Sequence, residues 1–145
     1  MNRAVLAVAV VALAAACGKK SETVTVNTTA GSMSVATGGA GVALPAEFPK
    51  DVPVPKEAVV KAVMGSPERG NLIVMAQVPG AKYAEVFARL QADLAAQGWT
   101  TGSKMDNGQG GMLTLKKDGR DLMLTVSTQD KDVNLQYTVP HTAPK

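Results

Sequence analysis

The chain has 145 residues, 15 Lys+Arg against 12 Asp+Glu, one cysteine and one histidine. Charges of both signs are interspersed, so the clustered basic face that marks a nucleic-acid binder is missing. A single cysteine excludes an internal disulfide, and only five aromatic residues leave Val, Leu, Ala and Met to fill the interior.

Arg3 opens the chain with a positive charge, and Ala4 to Ala16 is an uncharged apolar run of 13 residues. That run is too short for a membrane-crossing helix, which needs roughly 20 residues. It suits the apolar core of a secretory signal. The run ends in Ala14-Ala15-Ala16-Cys17, followed by Gly18, Lys19 and Lys20.

These small residues before Cys17 resemble the bacterial lipobox, the cleavage and acylation site of exported lipoproteins. The family most often has Leu three places before the cysteine; here Ala14 stands there and Leu13 is one place further back. The resemblance implies that residues 1–16 are a cleaved signal peptide and that Cys17 becomes a lipidated N-terminus. It also implies a location in the cell envelope. Gly18 stands where an Asp would signal inner-membrane retention, which favours the outer membrane facing the periplasm. Two or three acyl chains make a durable anchor at about 0.8 kcal/mol per buried methylene. Lys19-Lys20 can add contacts to anionic headgroups.

Residues 18–43 are mostly Gly, Ser, Thr, Ala and Val, and too few large side chains are present to offset ordering entropy. Residues 17–43 are therefore expected to be the lipidated cysteine and a flexible linker, roughly 25–30 Å in root-mean-square span. Within it, Thr23-Val24-Thr25-Val26 alternates and can add a short strand to a sheet edge. Pro45, Pro49, Pro53 and Pro55 preclude a regular helix and favour an extended lead-in, pinned by Phe48 and Val52 or Val54.

A single domain is expected over 44–139. Ala58 to Met64 and Leu72 to Val78 read as strands of a hairpin, with Leu72, Val74, Ala76 and Val78 on one face and Ile73, Met75 and Gln77 on the other. Ala81 to Gln97 carries the i, i+3, i+4, i+7 apolar stripe of a helix: Tyr83, Val86, Phe87, Leu90 and Leu94. Glu85 and Arg89 have the spacing of a favourable pair. Gly98 supplies a left-handed stop, and Trp99 packs back on the last turn. Strands follow at Trp99 to Met105, Met112 to Lys117, Asp121 to Ser127 and Val133 to Val139. Asp106 to Gly111 reads as a loose loop, and Asp118-Gly119 as a two-residue hairpin turn. The tail is 140–145.

The resulting order, ββ-α-ββββ, predicts an α+β domain: an antiparallel β-sheet with one helix packed on one face. FPKDVPVP together with Tyr83, Leu90 and Gly98-Trp99 resembles small bacterial lipoproteins that have a Pro-rich lead-in and a helix ending in Gly-Trp. Those motifs are structural and imply no active site.

Catalytic groups are scarce. His141 lies five residues from the end, where an imidazole is not held rigidly. Cys17 is consumed by lipid. Asp130 and Asp132 are spaced like two calcium ligands, but the glycine and distal Glu of such a loop are missing. Asp106, Asn107 and Gly108 suit turn chemistry. Gly108, Gly110 and Gly111 lead into no helix and make no phosphate cradle. Met75, Met112 and Met123 fall with Ile73 on the sheet face away from the helix, offering either thioethers for Cu(I) or an adaptable apolar surface. The sequence thus predicts a membrane-anchored, non-enzymatic binding or structural module with no cofactor and no catalytic or metal residues. Its partners are membrane lipid through Cys17 and an envelope protein. The alternatives are a small-ligand or Cu(I) carrier and, last, a small hydrolase.

Overall fold

Alternating apolar residues of high β propensity dominate the second half of the chain, and pairing them requires a sheet. The structure is a computed structural model and describes residues 22–28, 31–37, 41–66 and 70–140. Eight strands form one antiparallel sheet: β1 (Glu22–Thr28), β2 (Gly31–Thr37), β3 (Val59–Ser66), β4 (Asn71–Val78), β5 (Thr100–Asp106), β6 (Gly110–Lys117), β7 (Arg120–Gln129) and β8 (Asp132–Pro140). The helix α1 (Tyr83–Ala96) lies between β4 and β5 in the chain. The spatial order is β1-β2-β3-β4-β8-β7-β6-β5. The α+β class holds, but the strand order has two strands more than ββ-α-ββββ, and both precede the expected domain.

Those two strands replace the flexible linker expected over Glu22–Thr28 and Gly31–Thr37, and β1 contains the Thr23–Val26 segment read as a short strand. β1 pairs β2 along its whole length, from Glu22↔Thr37 to Thr28↔Gly31, and β2 pairs β3 over Ser32–Val35. Side-chain burial is not the only source of order here. Without the hairpin β3 would be an edge strand whose backbone groups need partners, and an alternating Thr/Val and Ser/Val segment supplies them. Residues 1–21, including Cys17, and His141 lie outside the described residues.

Four antiparallel steps separate β4 from β5, so these two strands run the same way. The connection must therefore return the chain along the sheet. The 14 residues of α1 give about 21 Å of helix, close to the length of the strands it spans. Tyr83, Val86, Phe87, Leu90 and Leu94 are all buried against the sheet, as the stripe predicts. Opposite them lie Val74, Leu113, Leu115, Leu122, Leu124, Val126, Val133, Leu135 and Tyr137, each essentially inaccessible.

The helix ends in the predicted stop. Gly98 has φ +83°, and the Gly98 and Trp99 amides donate to the carbonyls of Ala95 (3.0 Å) and Leu94 (3.0 Å). This double bond is the Schellman pattern. Trp99 is buried beyond it. Glu85 and Arg89 do not pair with each other. Arg89 bonds Glu57, just before β3, and Glu85 bonds Lys82. A partner fixed by the tertiary fold displaced the local one.

The proline-rich arm shares the helix side of the sheet. It is a run of turns rather than an extended segment: Phe48, Val52 and Ala58 amides donate to the carbonyls of Pro45, Pro49 and Pro55. Phe48 and Val52 are buried, and the Phe48 ring meets Tyr137 edge-on at 5.8 Å. The Tyr137 hydroxyl donates to the Pro53 carbonyl (3.2 Å). Helix and arm together make the second layer.

β5 is the far edge, and every one of its residues is exposed. A register shift between Thr101 and Ser103 and the charge of Lys104 blunt it, as edge strands require. The DNGQGG segment is tight rather than loose. Asn107 Oδ1 accepts from the Gln109 and Gly110 amides, and Asp106 Oδ1 accepts from the Gly108 amide. The Asp118-Gly119 turn has positive φ at both residues, 50° and 74°, as its sequence demands.

Candidate functional site

Three places on the described chain bring polar chemistry together. The first is a clamp on the arm. Asp51 accepts a two-pronged pair from Arg120, Nη1 to Oδ1 at 3.1 Å and Nη2 to Oδ2 at 2.6 Å. Lys117 Nζ adds 2.8 Å to the same Oδ2. Lys117 also donates to the Gln97 carbonyl at the end of α1 (2.6 Å), where a cation suits the helix dipole. The Trp99 indole donates to the Asp51 carbonyl (2.8 Å), and the Arg120 guanidinium lies 5.1 Å from the Trp99 ring. Hydrogen bonding from Arg120, then from Lys117, holds the Asp51 carboxyl far below the usual carboxylate range, although burial opposes it. A cleft of about 360 Å³ borders this cluster, lined by Glu47, Lys50 and Pro140 among others. The clamped carboxylate and its two cations satisfy one another, which is the chemistry of an arm tied to a hairpin turn and a helix end.

The second place is Tyr83. Its hydroxyl donates to Asp106 Oδ1 (2.8 Å), and its ring stacks on Phe87 at 5.3 Å. Burial first, and the Asp106 carboxylate second, push the Tyr83 hydroxyl up to about 12. The Gly108 amide first, and then Tyr83, pull the Asp106 carboxyl down. Gly111 is packed beneath this pair: a side chain there would run into the Tyr83 hydroxyl, the Met105 carbonyl (2.9 Å) and Phe87 Cζ (2.9 Å).

The third is the sheet face away from the helix. Its hollow, about 350 Å³, is lined by Lys61, Met75, Gln77, Thr125, Ser127, Asn134 and Gln136 among others. These side chains are neutral amides, hydroxyls and a thioether apart from Lys61. They offer hydrogen bonds without a strong acid, base or nucleophile. Toward β1 the same face turns apolar. Direct cross-strand partners share a face, and the register gives two unbroken rows: Val26–Met33–Met64–Ile73 and Val24–Val35–Ala62–Met75. Val24, Val26, Met33 and Met75 are 50, 53, 44 and 39% exposed.

The methionines do lie on the open face as expected, but they do not converge. Met75 is on β4 and Met112 on β6, with Gln136 and Thr125 between them in the row. Three strand spacings are about 14 Å. Met123 sits one row away, opposite Thr114 and Thr138. Among the described residues there is no group of three His, Cys, Asp or Glu that could hold a metal. Asp130 and Asp132 serve a turn: Asp130 has φ 55°, and Asp132 Oδ1 accepts the Gly80 amide (3.0 Å). Among the described residues, no helix is long and apolar enough to cross a membrane.

The Asp51 clamp has no local sequence signal, because its residues are 69 positions apart. The apolar rows did have one: Val24 and Val26 alternate with Thr, and Met33 and Val35 with Ser, at a period of two. Comparison with known proteins finds no matching family model, no matching curated protein and no matching solved structure.

Proposed function

We propose that this chain is an envelope lipoprotein, cleaved before Cys17 and anchored by acyl chains on that residue. Its domain serves as a binding or structural module, with the open sheet face as its contact surface. The apolar run ending in Ala14-Ala15-Ala16-Cys17 is the observation that carries the anchor. An outer-membrane location facing the periplasm follows from Gly18 in place of Asp. The character of the open face supports a contact role: neutral hydrogen-bonding groups around a shallow hollow, bordered by exposed Val and Met. Faces of this composition recognise by shape and hydrogen bonding.

Intact mass of the membrane-extracted protein tests the anchor. The expected mass is that of a chain beginning at Cys17 plus a diacylglyceryl group and an N-acyl chain. The Cys17→Ala variant is expected to keep residues 1–16 and carry no lipid. An unmodified, uncut wild-type chain refutes the reading.

A further inference from the structure

The β1–β2 hairpin is amphipathic in an unusual sense. Its Thr23, Thr25, Ser32 and Ser34 side lies in register with the helix-side residue Val63, through Ser34. Its Val24, Val26, Met33 and Val35 side lies on the open face. The helix packs at the other end of the sheet, against β5 and β7. Among the described residues, neither helix nor arm covers the hairpin's apolar side, which continues without a break into Ala62, Met64, Ile73 and Met75.

Chain length says what this side meets. Cys17 and Glu22, the first residue of β1, are five residues apart. Five extended steps reach at most about 17 Å, less than the roughly 24 Å length of a seven-residue strand. An acyl anchor on Cys17 therefore holds the start of β1, at Glu22, within about 17 Å of the lipid surface. Lys19 and Lys20 fall in that short span, and none of the eight apolar-row residues carries a charge.

We propose that the apolar rows of β1–β4 rest on the bilayer at the headgroup–acyl boundary, so that the domain lies on the membrane instead of standing off it. This rests on the reading of Cys17 as the anchor. The physical logic is that of an interfacial amphipathic element: apolar side chains enter the boundary, and flanking lysines meet anionic headgroups. Tethering makes the contact intramolecular, so a shallow apolar patch suffices where it would not hold a free protein.

The test uses the full chain, extracted from membranes and reconstituted in phosphatidylcholine vesicles with and without phosphatidylglycerol. Single cysteines are introduced at exposed hairpin positions: Val26→Cys and Met33→Cys on the apolar side, Thr25→Cys and Ser32→Cys on the other, each carrying a nitroxide. Far-ultraviolet circular dichroism verifies the fold of each variant. Reduction by aqueous ascorbate is expected to be roughly fivefold or more slower at Val26 and Met33 than at Thr25 and Ser32, as burial at the interface requires. Phosphatidylglycerol is expected to widen the difference. Equal rates at the four sites overturn the docking. Spin–spin broadening between copies assigns the face to a second molecule and also overturns it. Labelling of the unsubstituted chain, whose Cys17 should be blocked, overturns the anchor itself and so separates the two failures.

Discussion

Replacing Asp51 by Asn removes one charge and keeps the shape and the backbone carbonyl that Trp99 uses. The side chains of Asp51, Lys117 and Arg120 are 23, 22 and 29% exposed. The cluster thus lies between an exposed pair, worth about 0–1 kcal/mol, and a buried one, whose disruption costs about 3–5 kcal/mol. Three charge-assisted contacts, two of them in a guanidinium fork, place the loss at about 2–3 kcal/mol. For a domain of this size that is a fall in Tm of about 10 °C. The pH dependence has a definite sign. The folded carboxyl is held below its ordinary value of 3.8, so its contribution is complete above that value and is lost as pH falls through the folded one. Urea unfolding of both proteins should therefore show a constant gap from neutral pH down to about 5 and a closing gap below 3.8. A gap under about 0.5 kcal/mol at neutral pH would refute the clamp. A gap of the same size at every pH would show that charge is not its source.

Other outcomes are equally specific. Gly111→Ala forces a methyl against the Met105 carbonyl and Phe87 and should cost about 1–3 kcal/mol in chemical unfolding. Leu124→Ala empties a site of zero exposure and should cost about 2–5 kcal/mol, whereas Met105→Ala on the exposed edge should stay within about 0.5 kcal/mol. Tyr83 and Tyr137 both have hydroxyls pushed above their ordinary 10.0, chiefly by burial. A raised value keeps its stabilisation below pH 10 and loses it above, so tyrosinate absorbance should appear only together with alkaline unfolding.

Much of the domain was legible because its periods are local. Leu72, Val74, Ala76 and Val78 alternate inward as read, and the helical stripe from Tyr83 to Leu94 is buried as read. Gly98 and Asp118-Gly119 announced their turns through residues that tolerate positive φ. What the sequence withheld depends on distant parts of the chain. Arg89 has a suitable partner four residues away and chooses Glu57 instead. Asp51 finds Arg120 only because the fold brings the arm to the β6–β7 turn. Of the β1–β2 hairpin only the alternation at Thr23–Val26 reads as a strand; small side chains hide the rest, since what holds it is backbone pairing to an edge that sequence composition does not show. The candidate contact face was half visible: its methionines were placed correctly, while its Val24 and Val35 extension depended on that hairpin.

The last strand occupies the middle of the sheet. β8 joins β4 on one side to β7 on the other, so two separate half-sheets have nothing to close against until residues 132–140 are present. In a chain that emerges from its amino end, whether from a ribosome or through a translocation pore, cooperative folding must wait for almost the entire polypeptide. Until then β4 and β7 each present an unpaired edge, so the last nine residues of strand decide when the sheet can become one.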